Sequence, residues 1–469
     1  MMISLFQCRT LLIFLWWISV IVPSFEAFVP QKSQSKGLFP LQRRWVVQVA
    51  ETKESSNLET STSQSNPRQN NHNIGKKVVS NKSRERQQFR TYLRNMWRKI
   101  KNKRTLANRM DDELKQMEID FYGIDPNEDE LLQLRYPESV SYRGKVVEPD
   151  LSCYAMTASA YAKSNLGRAG AELAEQVLRR CEKYCSSQQP NAILKTAIVK
   201  AWLQAGDFDR ADEWIKDMEK TFAESRDEID APDTITYTQY LEGLANARNL
   251  PVEEIVRRCR RLLEKMQHLA GSGENPFARP NTFTYSAAMK CLARRQANLK
   301  KGELVVMEEV EELLRELQAK YNESGDEELK PNNYCYVAVA NVGSRCYGGM
   351  QAARRTERLL RELEKQYKAT GDPDFYPLDG MYTACFTAYA KVEPEHVSEA
   401  SERVKDLLHE LENGDRKYPP TVHAYTAAIN GLTMDDNPGN LKEAEAILKR
   451  LPGPDSIAYQ CGKLSHCVN

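Results

Sequence analysis

Residues 232–237 read PDTITY and residues 280–285 read PNTFTY. The same frame, a proline followed five positions later by a tyrosine, returns at Pro149/Tyr154, Pro331/Tyr336, Pro377/Tyr382, Pro420/Tyr425 and Pro454/Tyr459. Pro190 keeps the frame with Lys195 in the tyrosine's place. Successive prolines lie 41, 42, 48, 51, 46, 43 and 34 residues apart, within the range of intervals at which a chain builds stacked repeats.

Each unit follows one grammar. The proline ends the preceding segment, and the Asp, Asn, Thr or Ser just after it suits the N-cap of a new helix. A first helix follows with small residues where neighbours must approach, as at Gly243 and Gly431. After a break such as Gly206-Asp207 comes an amphipathic second helix, exemplified by Ala211, Trp214, Ile215 and Met218. One such pair cannot bury its own apolar stripe, so neighbours must stack. The spacing predicts an all-α solenoid of stacked antiparallel helix pairs over residues 149–469, seven units and a C-terminal stub. A tyrosine at every helix start suits interhelix packing.

Upstream, LLIFLWWISVIV (residues 11–22) follows Arg9 and precedes the small residue Ala27. It is shorter than a spanning helix and reads as a signal peptide over residues 1–27, with no membrane anchor left in the mature form. Phe28 and a Ser/Gln/Asn-rich tract follow, so residues 28–75 read as a transit peptide and disordered tract. The Ala27-Phe28 junction resembles the two-part plastid presequence of algae with secondary plastids, with another organelle or the secretory pathway as the alternative address. Residues 76–148 form a basic helical arm and linker, with a helical apolar seam at Tyr92, Leu93, Met96, Trp97 and Ile100. Arg84, Arg86, Arg90, Arg94, Arg98, Lys99, Lys101, Lys103 and Arg104 make it a candidate phosphate-contacting arm, since such clusters gain affinity by releasing counterions. A charged capping helix is the competing role. Lys+Arg 66 against Asp+Glu 65 leaves a net charge of +1, so the repeats carry an acidic excess that offsets the arm.

The 11 cysteines lack disulfide or zinc spacing. Most fall singly in apolar helical patterns, which fits buried thiols in a reducing compartment. No phosphate-cradling glycine loop or catalytic constellation occurs, so neither an enzyme, a cofactor, a metal site nor a small-molecule substrate is expected.

Residues 201–218, AWLQAGDFDRADEWIKDM, bracketed by the Pro-Asp/Asn…Tyr starts, resemble the pentatricopeptide repeat family over roughly residues 149–460. The resemblance implies a superhelix that binds single-stranded RNA in an organelle, here a plastid, acting in RNA processing, stability or translation. It also implies that one base per unit is read by the residue after the start tyrosine together with the residue after the next unit's proline, the kind of one-base-per-repeat code that such arrays use. Carried over, Thr196 pairs with Asp233 and Thr426 with Asp455, combinations associated with G. Thr238 pairs with Asn281 and Ser286 with Asn332, combinations associated with A. Ala155–Asn191, Val337–Leu378 and Thr383–Thr421 fit no well-behaved combination. The same Asp, Asn, Thr and Ser residues are also helix-capping types. The units depart from the family in being longer, with acidic insertions at residues 219–231 and 322–330. A stacked-helix groove serves peptides as well as RNA, so a scaffold for protein–protein interaction is the alternative.

Overall fold

Six of the seven described repeat prolines are followed by a helix whose first turn is held by the next side chain. Asp150, Asn191, Asp233, Asn281, Asn332 and Thr421 each accept a backbone N–H two or three residues on, satisfying donors that a helix start leaves unpaired. Only Leu378 lacks a capping side chain among these starts.

The computed structural model describes residues 69–142, 144, 146–185, 189–294, 304–346, 348–414, 420–434 and 437–450, with side chains from residue 84 onward. The signal segment, the transit segment as far as residue 68 and the C-terminal stub lie outside the described residues. Asn71–Pro452 form one compact unit. It holds α1 (Gln69–Lys99), α2 (Lys103–Tyr122), and then seven pairs. The pairs are α3 (Leu151–Ala162) with α4 (Arg168–Tyr184), α5 (Ala192–Ala205) with α6 (Phe208–Ser225), and α7 (Thr234–Asn246) with α8 (Val252–Ser272). They continue as α9 (Thr282–Leu292) with α10 (Val305–Ser324) and α11 (Asn333–Arg345) with α12 (Gly349–Thr370). Last come α13 (Asp379–Tyr389) with α14 (Val397–Asn413) and α15 (Val422–Leu432) with α16 (Pro438–Arg450). No strand occurs among the described residues.

The odd-numbered helices from α3 to α15 form one layer, each packed on the next. The even-numbered helices from α4 to α16 form the other, each packed on its own partner and, α6 and the last helix excepted, on the following first helix. The fold is an α-solenoid. Helix α1 begins at Gln69, inside the tract read as disordered up to residue 75; once a helix is nucleated, further turns add at little cost.

The recurring tyrosine sits between the layers. Tyr154, Tyr237, Tyr285 and Tyr336 are fully buried. Tyr237, Tyr285, Tyr336 and Tyr382 donate their hydroxyls to Glu219, Glu316, Glu362 and Glu364 on second helices, at 2.8, 2.7, 3.1 and 2.9 Å. An apolar ring with one polar tip suits a site whose far end meets a carboxylate. Lys195 makes the same crossing as an ion pair, 2.7 Å from Asp217 of α6.

The acidic insertions lengthen α6 and α10 to Ser225 and Ser324 and then form built turns. After α6, α8, α10 and α12 the chain passes through a left-handed residue, Arg226, Gly273, Gly325 or Gly371, and enters a short 3-10 turn that leads to the next proline. The first residue of each following helix reaches across to the next unit's turn. Thr234 lies 3.0 and 2.6 Å from the Phe277 and Arg279 carbonyls, and Thr282 lies 2.9 and 2.8 Å from those of Glu328 and Lys330. Arg279 pairs with Asp326 at 2.9 Å, and Lys330 with Asp372 and Asp374. Part of the acidic excess is thus neutralised along this edge.

Close approach of the layers requires glycine at Gly343. A Cβ there would lie 2.0 Å from Thr356 Oγ1 and 3.0 Å from Met307 Cε. Gly343→Val is therefore expected to lower stability by about 2–3 kcal/mol, the usual cost of overpacking, read as a shifted denaturation midpoint. An unchanged midpoint would show that Thr356 and Met307 yield freely.

Candidate nucleic-acid interface

The first-helix layer leaves one stripe of each helix accessible. On α7 it runs Ile235, Gln239, Glu242, Asn246; on α11 it runs Tyr334, Val337, Asn341, Arg345; on α13 it runs Gly380, Thr383, Thr387 and, just past the helix end, Lys391. The spacing of three or four is one face of a helix, so equivalent positions of successive units line up on it.

Near the start of the stripe stand the paired residues carried over from the repeat resemblance. Thr196, Thr238 and Ser286 are largely buried, and Asp233, Asn281 and Asn332 are half-buried. Two pairs are brought together through a shared neighbour. Thr196 Oγ1 is 2.6 Å from Thr236 Oγ1, whose hydroxyl donates to Asp233 Oδ1 at 2.9 Å. Thr238 Oγ1 is 2.8 Å from Thr284 Oγ1, which donates to Asn281 Oδ1 at 3.1 Å. The caps and the pairs are therefore the same atoms. Burial raises the Asp233 carboxyl above its ordinary value, opposed by the Thr236 backbone and hydroxyl. In the third pair the bridging position holds Cys335, whose thiol faces the Thr282 carbonyl instead, so Ser286 and Asn332 lack that link. Thr426 donates back to Val422 O of its own helix at 2.8 Å, and its partner Asp455 lies outside the described residues.

Asn281 and Asn332 also hold an aromatic residue two places on. Each accepts the backbone N–H of Phe283 or Tyr334 at 3.1 Å, and both rings are exposed at 42%. Large apolar rings left in water at equivalent positions of adjacent units form a stacking platform for flat ligands.

At the other end of the stripe stands a row of cations. Lys163, Arg294, Arg345 and Lys391 each follow the start tyrosine by nine residues and lie at the C-terminal ends of α3, α9, α11 and α13. Arg294 donates to Ala247 O at 2.6 Å and Lys391 to Ser344 O at 2.7 Å, each reaching the preceding first helix. Among the described residues Lys163, Arg294 and Arg345 pair with no carboxylate. The surrounding protein desolvates Lys163 and lowers its proton affinity, and Lys200 and Lys103 add repulsion. Desolvation acts likewise on Arg345, with Arg294 adding to it, and brings Lys391 down to about 8. Cations that recur at one end of successive first helices give that edge of the layer a positive potential, where anions gather. The row is hard to see in the sequence because units two and three carry Gln204 and Asn246 at that register.

The basic arm divides in two. Phe89, Leu93 and Met96 are buried, while Arg86 pairs with Glu148 and Arg90 with Asp150, the N-cap of α3. Those two arginines, expected to contact phosphate, are engaged in docking α1 on the first repeat, because Glu148 and Asp150 stand where the apolar seam seats them. Arg94 is half-buried, and Arg84, Arg98, Lys99, Lys101, Lys103 and Arg104 are exposed. The eight described cysteines are buried, no cluster of metal-binding side chains occurs among the described residues, and none of their helices is long and apolar enough to cross a membrane.

The repeat resembles the pentatricopeptide type. Its helix pairs, proline starts and capped tyrosine helices carry that reading. No family model matches the sequence and no curated protein matches it. Among solved structures, the chain is similar to the pentatricopeptide repeat protein PPR10 in complex with an 18-nt psaJ RNA element, at 16% identity and a TM-score of 0.25, covering 65% of this chain. A second structure of that complex, in which three cysteines of PPR10 are replaced by serine, gives the same values. The chain spans 44% of the length of these neighbours.

Proposed function

We propose that this protein binds single-stranded RNA along the accessible face of its first-helix layer, selectively and without catalysing a reaction. The observation that carries the reading is the row of Lys163, Arg294, Arg345 and Lys391, placed in register on a stripe that begins with capped polar pairs and exposed rings. A phosphate backbone would follow the cations, and unstacked bases would lie against Phe283 and Tyr334 with their edges toward the pairs. The Asp233 carboxylate offers acceptors suited to the N–H edge of guanine. Asn281 offers both a donor and an acceptor, suited to adenine. A helix-layer face with cations beside polar readout positions favours RNA over a peptide.

Binding of GAA-containing and scrambled single-stranded RNA at two salt concentrations tests the reading. The GAA strand is expected to bind about tenfold more tightly or better, from the roughly 1–3 kcal/mol that a good base contact contributes. Both are expected to weaken with salt. Equal affinity for the two strands would remove sequence selectivity, and no binding to either would remove RNA as the partner. The sequence of residues 1–75 supports a plastid address for this activity, in RNA processing, stability or translation. Fusing those residues to a fluorescent protein in an alga with a secondary plastid tests that address, and plastid fluorescence is the expected result.

A further inference from the structure

The exposed cations of the arm emerge at the same edge as the cation row. Arg90 pairs with Asp150 at the N-terminal end of α3, and Trp97, two turns further along α1, lies beneath Lys163 at the C-terminal end of α3, 4.8 Å from its ring centroid. Helix α1 therefore runs beside α3 in the same direction. The turn after it, residues 98–104, opens at the C-terminal end of the first-helix layer. Arg98, Lys99, Lys101, Lys103 and Arg104 are all exposed there, and among the described residues none has an ionic partner. No acidic residue occurs between Glu85 and Asp111. Lys103 and Arg104 also occupy the first turn of α2, where no acidic residue is present and where positive charge opposes the helix dipole. The field of Lys103 reaches Lys163, the first member of the row.

We infer that the 98–104 turn binds the sugar–phosphate backbone of nucleotides just beyond the first repeat, extending the RNA track past the end of the repeats. This rests on the RNA-binding reading above. Flexible cations of this kind hold phosphates without reading bases, and Trp97 is half-covered by Lys163, so the extension adds affinity and salt dependence but no selectivity.

The test uses the full chain and three labelled RNAs: a GAA-containing strand sized to the repeats, and the same strand lengthened by about six uridines at its 5′ or its 3′ end. Lengthening at one end only is expected to tighten wild-type binding about tenfold at low salt. The variant carrying Arg98→Gln, Lys99→Gln, Lys101→Gln, Lys103→Gln and Arg104→Gln is expected to lose that gain and to bind the short strand within about twofold of wild type. On the long strand its slope of log K against log salt should shrink by about 3, since each phosphate neutralised in a single strand contributes roughly 0.7. Because these side chains are exposed, its thermal unfolding should match wild type. Arg98→Lys with Arg104→Lys should keep the gain, since point charge is what matters. A wild-type protein that gains from neither extension, or a glutamine variant that keeps the gain, overturns the inference while leaving the repeats as an RNA site. A wild-type protein that fails to bind the short strand as well overturns both.

Discussion

Arg180→Met is expected to destabilise the N-terminal cap by about 3–5 kcal/mol, the cost of removing one partner from a buried ion pair. Arg180 of α4 is among the largest fully buried side chains. Its guanidinium donates to Asp111 Oδ1 at 2.6 Å and to Leu131 O at 3.2 Å, and it stands 3.3 Å from Glu118 Oε2. Both acids lie on α2, so this one side chain ties the arm to the first repeat. Methionine fills similar space but takes the guanidinium away from two buried carboxyls, leaving Asp111 to Lys115 at 3.2 Å and the Tyr161 hydroxyl at 2.8 Å. Hydrogen exchange in α2 and chemical denaturation would read the loss. Replacing Asp111 and Glu118 by leucine in the same chain should restore most of it, since well-packed apolar side chains often equal a buried ion pair. A midpoint that barely moves on Arg180→Met would show that the cap is held by Phe89, Leu93 and their neighbours alone.

The same cluster sets a pH dependence. Burial pushes Glu118 up to about 7, against the pull of Arg180. Burial also opposes ionisation of Asp111, but Arg180 and Lys115 outweigh it and hold that carboxyl down at about 2. Folded Glu118 holds its proton more tightly than in the unfolded chain. Its contribution is therefore complete below about pH 4.5 and is lost as pH rises through about 7. Asp111 has the opposite sign: its contribution is present above about pH 4 and is lost as pH falls toward 2. The cap should be more stable at pH 5 than at pH 8 by about 2–3 kcal/mol, since a tenfold change in proton affinity corresponds to about 1.36 kcal/mol. Glu118→Gln should remove that difference and stabilise the protein at pH 8.

Removing the cation row is expected to have the largest effect on binding. The variant Lys163→Gln, Arg294→Gln, Arg345→Gln, Lys391→Gln should lose about 10²–10³ in RNA affinity at low salt, with a salt slope shallower by about 3, since each phosphate contact in a single strand contributes about 0.7 to the slope. The loss should be similar for GAA and scrambled strands, because phosphate contacts position a strand without reading it. Some stability should go too, as Arg294 and Lys391 each cover a carbonyl at the end of the preceding first helix. An unchanged slope would place the RNA elsewhere. Phe283→Ala with Tyr334→Ala would then show whether binding tracks the rings alone.

Much of the fold was legible because its causes are local. A proline stops one helix, the next residue caps another, and a tyrosine five places on marks the buried face, all within one turn or two. The acidic insertions were legible as extra length, but only the structure shows that they lengthen the second helices and end in short turns that bond unit to unit through Thr234 and Thr282. The arm was legible as charge but not as allocation: Arg86 and Arg90 look like Arg98 and Arg104 in sequence, and only docking against Glu148 and Asp150 separates them. The cation row was present in the register all along, masked by the three units that carry Gln204, Asn246 and Met434 there.

The sequence by itself determined the period, the helix pairs, the capping residues and which side of each helix is buried, because these follow from backbone dihedrals and apolar spacing within single units. Only the tertiary structure decided which polar groups remain free. Thr196 meets Thr236, and Thr238 meets Thr284, across 40 and 46 residues of chain. Arg180 reaches Asp111 across 69. Such partners meet only when units stack, and stacking is driven by apolar burial, which is indifferent to the polar pairs that it happens to bring together.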